Sequence, residues 1–199
     1  MKRELSPLWL ASFLILGCVI FRLAGNLFPE AAPNISPMLA VTLVGAMVLP
    51  VRWGWLVGVI ALLITDVAFL QLNLLTGGTG SMFSWGTLIA VAFYAGMGGL
   101  GAFLANHKSL PKVIGASVAG SIIFYVALNT FAWLSVPGYE PTFGGWVQAN
   151  TMGLPGFPPS WLFLRNAIAG DLFFVVVLLF VLDRNIFHVR GRVGSLARA

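Results

Sequence analysis

Charge is what this sequence has least of. Asp, Glu, Lys and Arg together make up 9% of its 199 residues, where a soluble domain carries about 25%. Eleven Lys and Arg with six Asp and Glu cannot cover a globule of this length, which excludes a soluble enzyme and a disordered segment. Histidine is nearly as rare. His107 and His188 stand alone, and no pair of His or Cys has ligand spacing. The single cysteine, Cys18, excludes a disulfide scaffold. No serine lies beside a histidine base, and no glycine-rich segment ends in Lys-Ser or Lys-Thr to cradle a nucleotide phosphate. Catalytic residues, metal and cofactor are therefore all expected to be absent. The net charge of +5 and pI near 10.0 could point to nucleic acid. In so apolar a chain they read instead as orientation, because cytoplasmic loops collect Lys and Arg.

What the chain does have is apolar length. It is 59% hydrophobic, with a mean hydropathy of +0.95. A spanning helix needs about 20 apolar residues. The expectation is an all-α polytopic membrane protein, one integral domain over 1–199 with about six transmembrane helices in a compact bundle. Apolar runs place them near 8–27, 37–50, 53–75, 82–105, 112–136 and 161–183. The first run imitates a signal peptide, and Ile15-Leu16-Gly17-Cys18 approximates a lipoprotein cleavage box. It continues past Cys18 to Phe21, so it is read as an uncleaved helix. The second run, between Pro37 and Pro50, would rise only about 21 Å.

Basic residues set the orientation. Lys2 and Arg3 precede the first run, Arg52 follows the second, and Lys108 and Lys112 separate the fourth from the fifth. Arg184, Arg190, Arg192 and Arg198 follow the sixth. Six crossings put all of these on one side, so both termini are expected in the cytoplasm. Trp9, Trp53, Trp55, Trp85, Trp133 and Trp161 fall near run ends, as an interfacial belt would place them. Small residues from Ala95 to Ala105 and from Gly115 to Gly120 allow close helix packing, mostly internal. The connection 137–160 is rich in Gly and Pro, and Phe143, Trp146 and Phe157 predict that it folds back onto something apolar. It reads as a lid over an outward pocket or as a passive interfacial loop.

Polar residues inside the runs fall in one half of the bundle. With both termini inside, Arg22, Asp66 and Asn129 lie in the outer parts of their helices, and Arg165, Asn166 and Asp171 begin the last one. Ser121, Tyr125, Asn129 and Trp133 recur at intervals of four and share a helix face. Asn166 and Asp171 are about 140° apart around their helix, too far to meet at one spot. Two readings follow: an outward polar-aromatic cavity for a small, partly planar solute, or Arg22 and Arg165 neutralising Asp66 and Asp171 inside the bundle.

The order of these groups carries a resemblance. Arg22, then Pro33-Asn34-Ile35-Ser36-Pro37 before a short helix, Thr65-Asp66, Asn129 with Trp133, and Asn166 with Gly170-Asp171 resemble an uncharacterised bacterial family of transport-type proteins. That family looks like the substrate-binding S components of energy-coupling-factor vitamin transporters. The resemblance covers roughly residues 20–182, with Ile35 where Phe is usual, Thr65 for Ser and Leu128 for Thr. It implies capture of a vitamin-like solute from the outer side of a bacterial cytoplasmic membrane. Arg22, Asn34, Asp66, Tyr125, Asn129, Trp133, Arg165, Asn166 and Asp171 would bind it. A membrane coupling subunit with two ATPases would supply the energy. Neither the cobalt-ligating cysteine of cobalamin-binding relatives nor the Ala-spaced coupling motif is present, since Ala11 is followed four residues later by Ile15. The rival expectation is an accessory subunit of a larger membrane complex.

Overall fold

The computed structural model describes residues 7–27, 35–75 and 85–183. Among these, all regular structure is helical: α1 (Pro7–Leu27), α2 (Met38–Val48), α3 (Val51–Gly54), α4 (Leu56–Leu75), α5 (Trp85–Asn106), α6 (Leu110–Ser135), α7 (Phe143–Ala149) and α8 (Ser160–Leu182). Five of them, α1, α4, α5, α6 and α8, are long and apolar enough to cross a membrane. Their outward faces carry Phe13, Ile20, Phe103, Ile123, Phe173 and Phe180, all exposed. Such a surface would aggregate in water and is at home in lipid, where helices keep every backbone polar group paired. The molecule is an all-α polytopic membrane protein.

Prolines set several boundaries. Leu49, ahead of Pro50, is driven to extended backbone (φ −88°, ψ 155°) and ends α2. Pro111 sits in the first turn of α6, where a missing N–H costs nothing. Pro159, itself extended, stands directly ahead of α8.

The short α2 is the hub. Every residue from Met38 to Met47 is buried, as expected of a helix that is apolar on all sides. Neighbouring helices approach it through glycines. Gly58 of α4 faces Thr42, and Gly101 of α5 faces the Leu43 carbonyl with no room for a side chain. A Cβ on Gly98 of α5 would stand 2.6 Å from Trp55 Cα, just past α3. Other small residues do not pack inside: among the described residues, nothing lies within 4 Å of a Cβ added at Gly96, Gly99 or Gly115.

With 11 residues, α2 rises about 16 Å, half of a hydrocarbon core about 30 Å thick. Its beginning is fixed by the chain just ahead of it, where Ile35 packs on Gly170 of α8. Gly170 lies about 15 Å along α8 from its start. The helix expected over 37–50 is thus a half-length one, Met38–Val48, that starts near mid-depth and fills one half of the bundle. Five long helices and this short one make up the bundle.

The ends of α1, α4 and α6 and the starts of α5 and α8 meet at the other half, above the first turn of α2. The start of α1 and the end of α8 lie together at the opposite end, where Lys108 pairs with Asp183. The connection from α6 to α8 is fastened to α6. Trp133 Nε1 donates to the Glu140 carbonyl (2.8 Å), Trp146 Nε1 to Thr130 Oγ1 (2.8 Å), and Tyr125 Oη to the Asn150 carbonyl (2.9 Å). Within it Thr142 caps α7, accepting from Gly145 N. Trp146 folds inward as expected, but Phe143 and Phe157 do not. They are 76% and 73% exposed.

Candidate functional site

Because α2 occupies only half the depth, the centre of the other half is bounded by the long helices alone. Two adjoining cavities lie there, of about 210 Å³ and about 350 Å³. Ser36, Met38, Tyr94, Phe124 and Leu128 form walls of both. Ser36 and Met38 close the bottom from the start of α2, and Ser36 Oγ accepts from Met38 N at 3.3 Å.

The larger cavity holds Arg22 of α1 and Asp66 of α4. Their charged atoms are 3.8 Å apart, and both side chains are about one-quarter exposed. Arg22 Nη1 also donates to Thr65 Oγ1, whose own hydroxyl points at the Ala61 and Leu62 carbonyls of α4. The guanidinium further lies 5.5 Å from the Phe69 ring centre. Arg22 is therefore held between a carboxylate, a hydroxyl and a ring.

The smaller cavity is lined by Ser121, Tyr125 and Asn129 of α6 and by Asp171 of α8. Spacing by four puts the three α6 residues on one stripe. Asp171 is only 6% exposed. Its Oδ2 accepts from Ser121 Oγ at 2.7 Å. Among the described residues no cation lies within ion-pair reach of it. Asn129 Nδ2 donates to the Tyr125 carbonyl at 2.8 Å, which turns the amide about its own helix. Tyr125 shows the cavity its ring, since its hydroxyl is spent on Asn150.

Of the residues singled out in the sequence, Arg22, Asp66, Tyr125, Asn129 and Asp171 thus come together. Asn34 lies outside the described residues. Trp133 belongs to the fastening of the α6–α8 connection and walls neither cavity. Arg165 and Asn166 also fall outside both. Arg165 donates to Asn166 Oδ1 at 3.1 and 3.2 Å and lies 5.8 Å from the Trp161 ring centre. The expected neutralisation is therefore half realised: Arg22 faces Asp66, but Arg165 does not reach Asp171.

Several wall residues carried no strong signal in the sequence. Ser121 was visible on the α6 stripe, and Ser36 stands in the Pro33–Pro37 segment. Tyr94 and Phe124 were not visible, because aromatic residues in apolar helices are ordinary core material. Chemically, the site offers two carboxylates, a guanidinium, an amide, hydroxyls and aromatic faces. His107, by contrast, is at the other end of the bundle, stacked on Phe103.

No curated protein and no solved structure matches the chain. A model of a family of unknown function, DUF6580, matches residues 2–186. That span takes in all five long helices, the half-length α2 and both cavities, so the chain belongs to the DUF6580 family.

Proposed function

We propose that this protein is a membrane-embedded solute-binding transport protein, resembling an S component, that captures a small vitamin-like solute and performs no chemistry on it. One observation carries this reading: α2 spans only half the depth, and the space beside it is left open, with charged, polar and aromatic side chains among its walls. A bundle built only for stability gains by packing that space. Charged groups within a membrane are costly and mark ligand pathways more often than scaffolds. The order of Arg22, Ser36, Asp66, Asn129 and Asp171 along the chain adds the resemblance to S components.

In this reading the cavity opens outward. Arg52, Lys108 and Lys112 are carried by segments at the opposite end, and loops rich in Lys and Arg stay in the cytoplasm. The membrane is the bacterial cytoplasmic one. Energy comes from a coupling subunit with two ATPases, because the chain has no nucleotide-binding motif of its own.

The small-residue faces support a second reading, an accessory subunit of a larger membrane complex. Gly96 and Gly99 of α5 and Gly115 of α6 leave room for a helix outside the bundle. A coupling subunit would use the same faces, so the identity of co-purifying proteins separates the two. ATPases support the first reading, and a stable complex without them supports the second.

Untargeted mass spectrometry of small molecules released from purified protein tests solute binding. Wild type should release a compound that the Asn129→Leu variant, at equal folded fraction, retains at least about tenfold less, because a ligand bond is lost and its partner left unsatisfied. Equal amounts from both proteins would move the binding place elsewhere.

A further inference from the structure

Among the described residues, three charged side chains line the two cavities, and they do not cancel. Arg22 and Asp66 face each other at 3.8 Å, with Thr65 taking a further guanidinium N–H. Among the described residues, Asp171 has only the Ser121 hydroxyl. The other cations with described surroundings are engaged elsewhere or far away. Arg165 is turned to Asn166 and Trp161, Lys108 to Asp183, and Lys112 is exposed in the first turn of α6 at the opposite end. The first turn of α2 does face the cavity. A helix N-terminus supplies about half a positive charge, and one of its N–H groups is already taken by Ser36. That offsets part of one carboxylate and leaves the site negative.

A carboxylate buried without a counter-ion is costly unless something that binds there neutralises it. The cavity that Asp171 lines has four rings in its wall: Tyr94, Phe124, Tyr125 and Phe163. Aromatic faces attract cations and are indifferent or repellent to anions. We infer that the solute is a small organic cation, a ring-bearing compound with an ammonium or a similar protonated nitrogen, seated against Asp171 with its apolar part against the contacting rings of Tyr94 and Phe124. The inference rests on the solute-binding reading above and adds the charge of the solute to it. The cation forms a charge-assisted hydrogen bond to the free Asp171 oxygen while Ser121 keeps the other. Asn129, whose Oδ1 accepts nothing from the described residues, is placed to take a second N–H.

The test uses wild-type protein in lipid nanodiscs and three probes of one shape: 2-phenylethylammonium, 2-phenylethanol and 3-phenylpropanoate. Affinities are measured by equilibrium dialysis. The ammonium should bind at least about tenfold tighter than the alcohol, and the propanoate weakest. In Asp171→Asn, which can keep the bond from Ser121, the ammonium and the alcohol should come within about twofold of each other. The inference is overturned if wild type binds alcohol and ammonium alike, if no probe binds, or if the Asn variant keeps the preference for the cation. It is also overturned if the propanoate binds tightest, which would make the α2 N-terminus and Arg22 an anion site. Should the variant fail to fold, the wild-type series alone decides. The solute-binding reading is tested separately by the released compound: an uncharged or anionic compound lost in Asn129→Leu leaves that reading standing and ends this one.

Discussion

The two carboxylates inside the bundle sit in opposite situations, and their variants should move stability in opposite directions. Among the described residues, Asp66 has Arg22 and Asp171 has no cation. Arg22→Leu leaves Asp66 alone in a half-buried place and should lower stability by about 1–2 kcal/mol, a modest figure because both side chains are partly exposed. Asp171→Asn removes an uncompensated charge from a nearly dry place and should raise the melting temperature of the solute-free protein, the usual exchange of function for stability. Thermal unfolding in one detergent checks both. A lowered melting temperature for Asp171→Asn would make that residue a scaffold element. The sequence showed two cations and two carboxylates and so allowed two pairs. Spacing decides against the second: Arg165 and Asp171 are six apart, about 240° around one helix, so their side chains leave it on different sides.

At the scale of elements, α2 explains why there is a site at all. Its proline limits and apolar composition were legible in the sequence, and so was its shortness. Its place in the centre was not, because that depends on glycines from three other segments meeting it: Gly54, Gly58 and Gly101. A small residue in an apolar run reads the same whether it faces a helix or lipid. The two cases separate on mutation. Gly101→Ala sets a methyl against the Leu43 carbonyl and should cost about 1–3 kcal/mol. Gly99→Ala meets nothing and should be neutral or slightly stabilising, since alanine is the better helix former. Comparable melting temperatures for the two would mean that α2 is not packed as described. The seven-residue α7 was illegible for a different reason. Phe143-Gly144-Gly145 is a poor helix sequence, and the helix forms because Thr142 caps it and Trp146 anchors it to Thr130.

For the whole molecule, the division into two halves is the organising feature. One half is filled by α2 and closed by the Lys108–Asp183 pair. The other holds two cavities with the charged and aromatic side chains around them. The fold class and the clustering of polar groups toward one end could be read from hydropathy and spacing. The depth of the cavity could not, because it is set by the contact of Ile35 with Gly170. The most direct measurement is thiol labelling in whole cells with a membrane-impermeant reagent added outside, on single-cysteine variants in a Cys18→Ser background. Ala167→Cys, in the cavity wall, should be labelled from outside, and Val44→Cys, buried in the middle of α2, should not be labelled from either side. No labelling of Ala167→Cys from outside, or labelling of Val44→Cys, would contradict an outward cavity resting on a half-length helix.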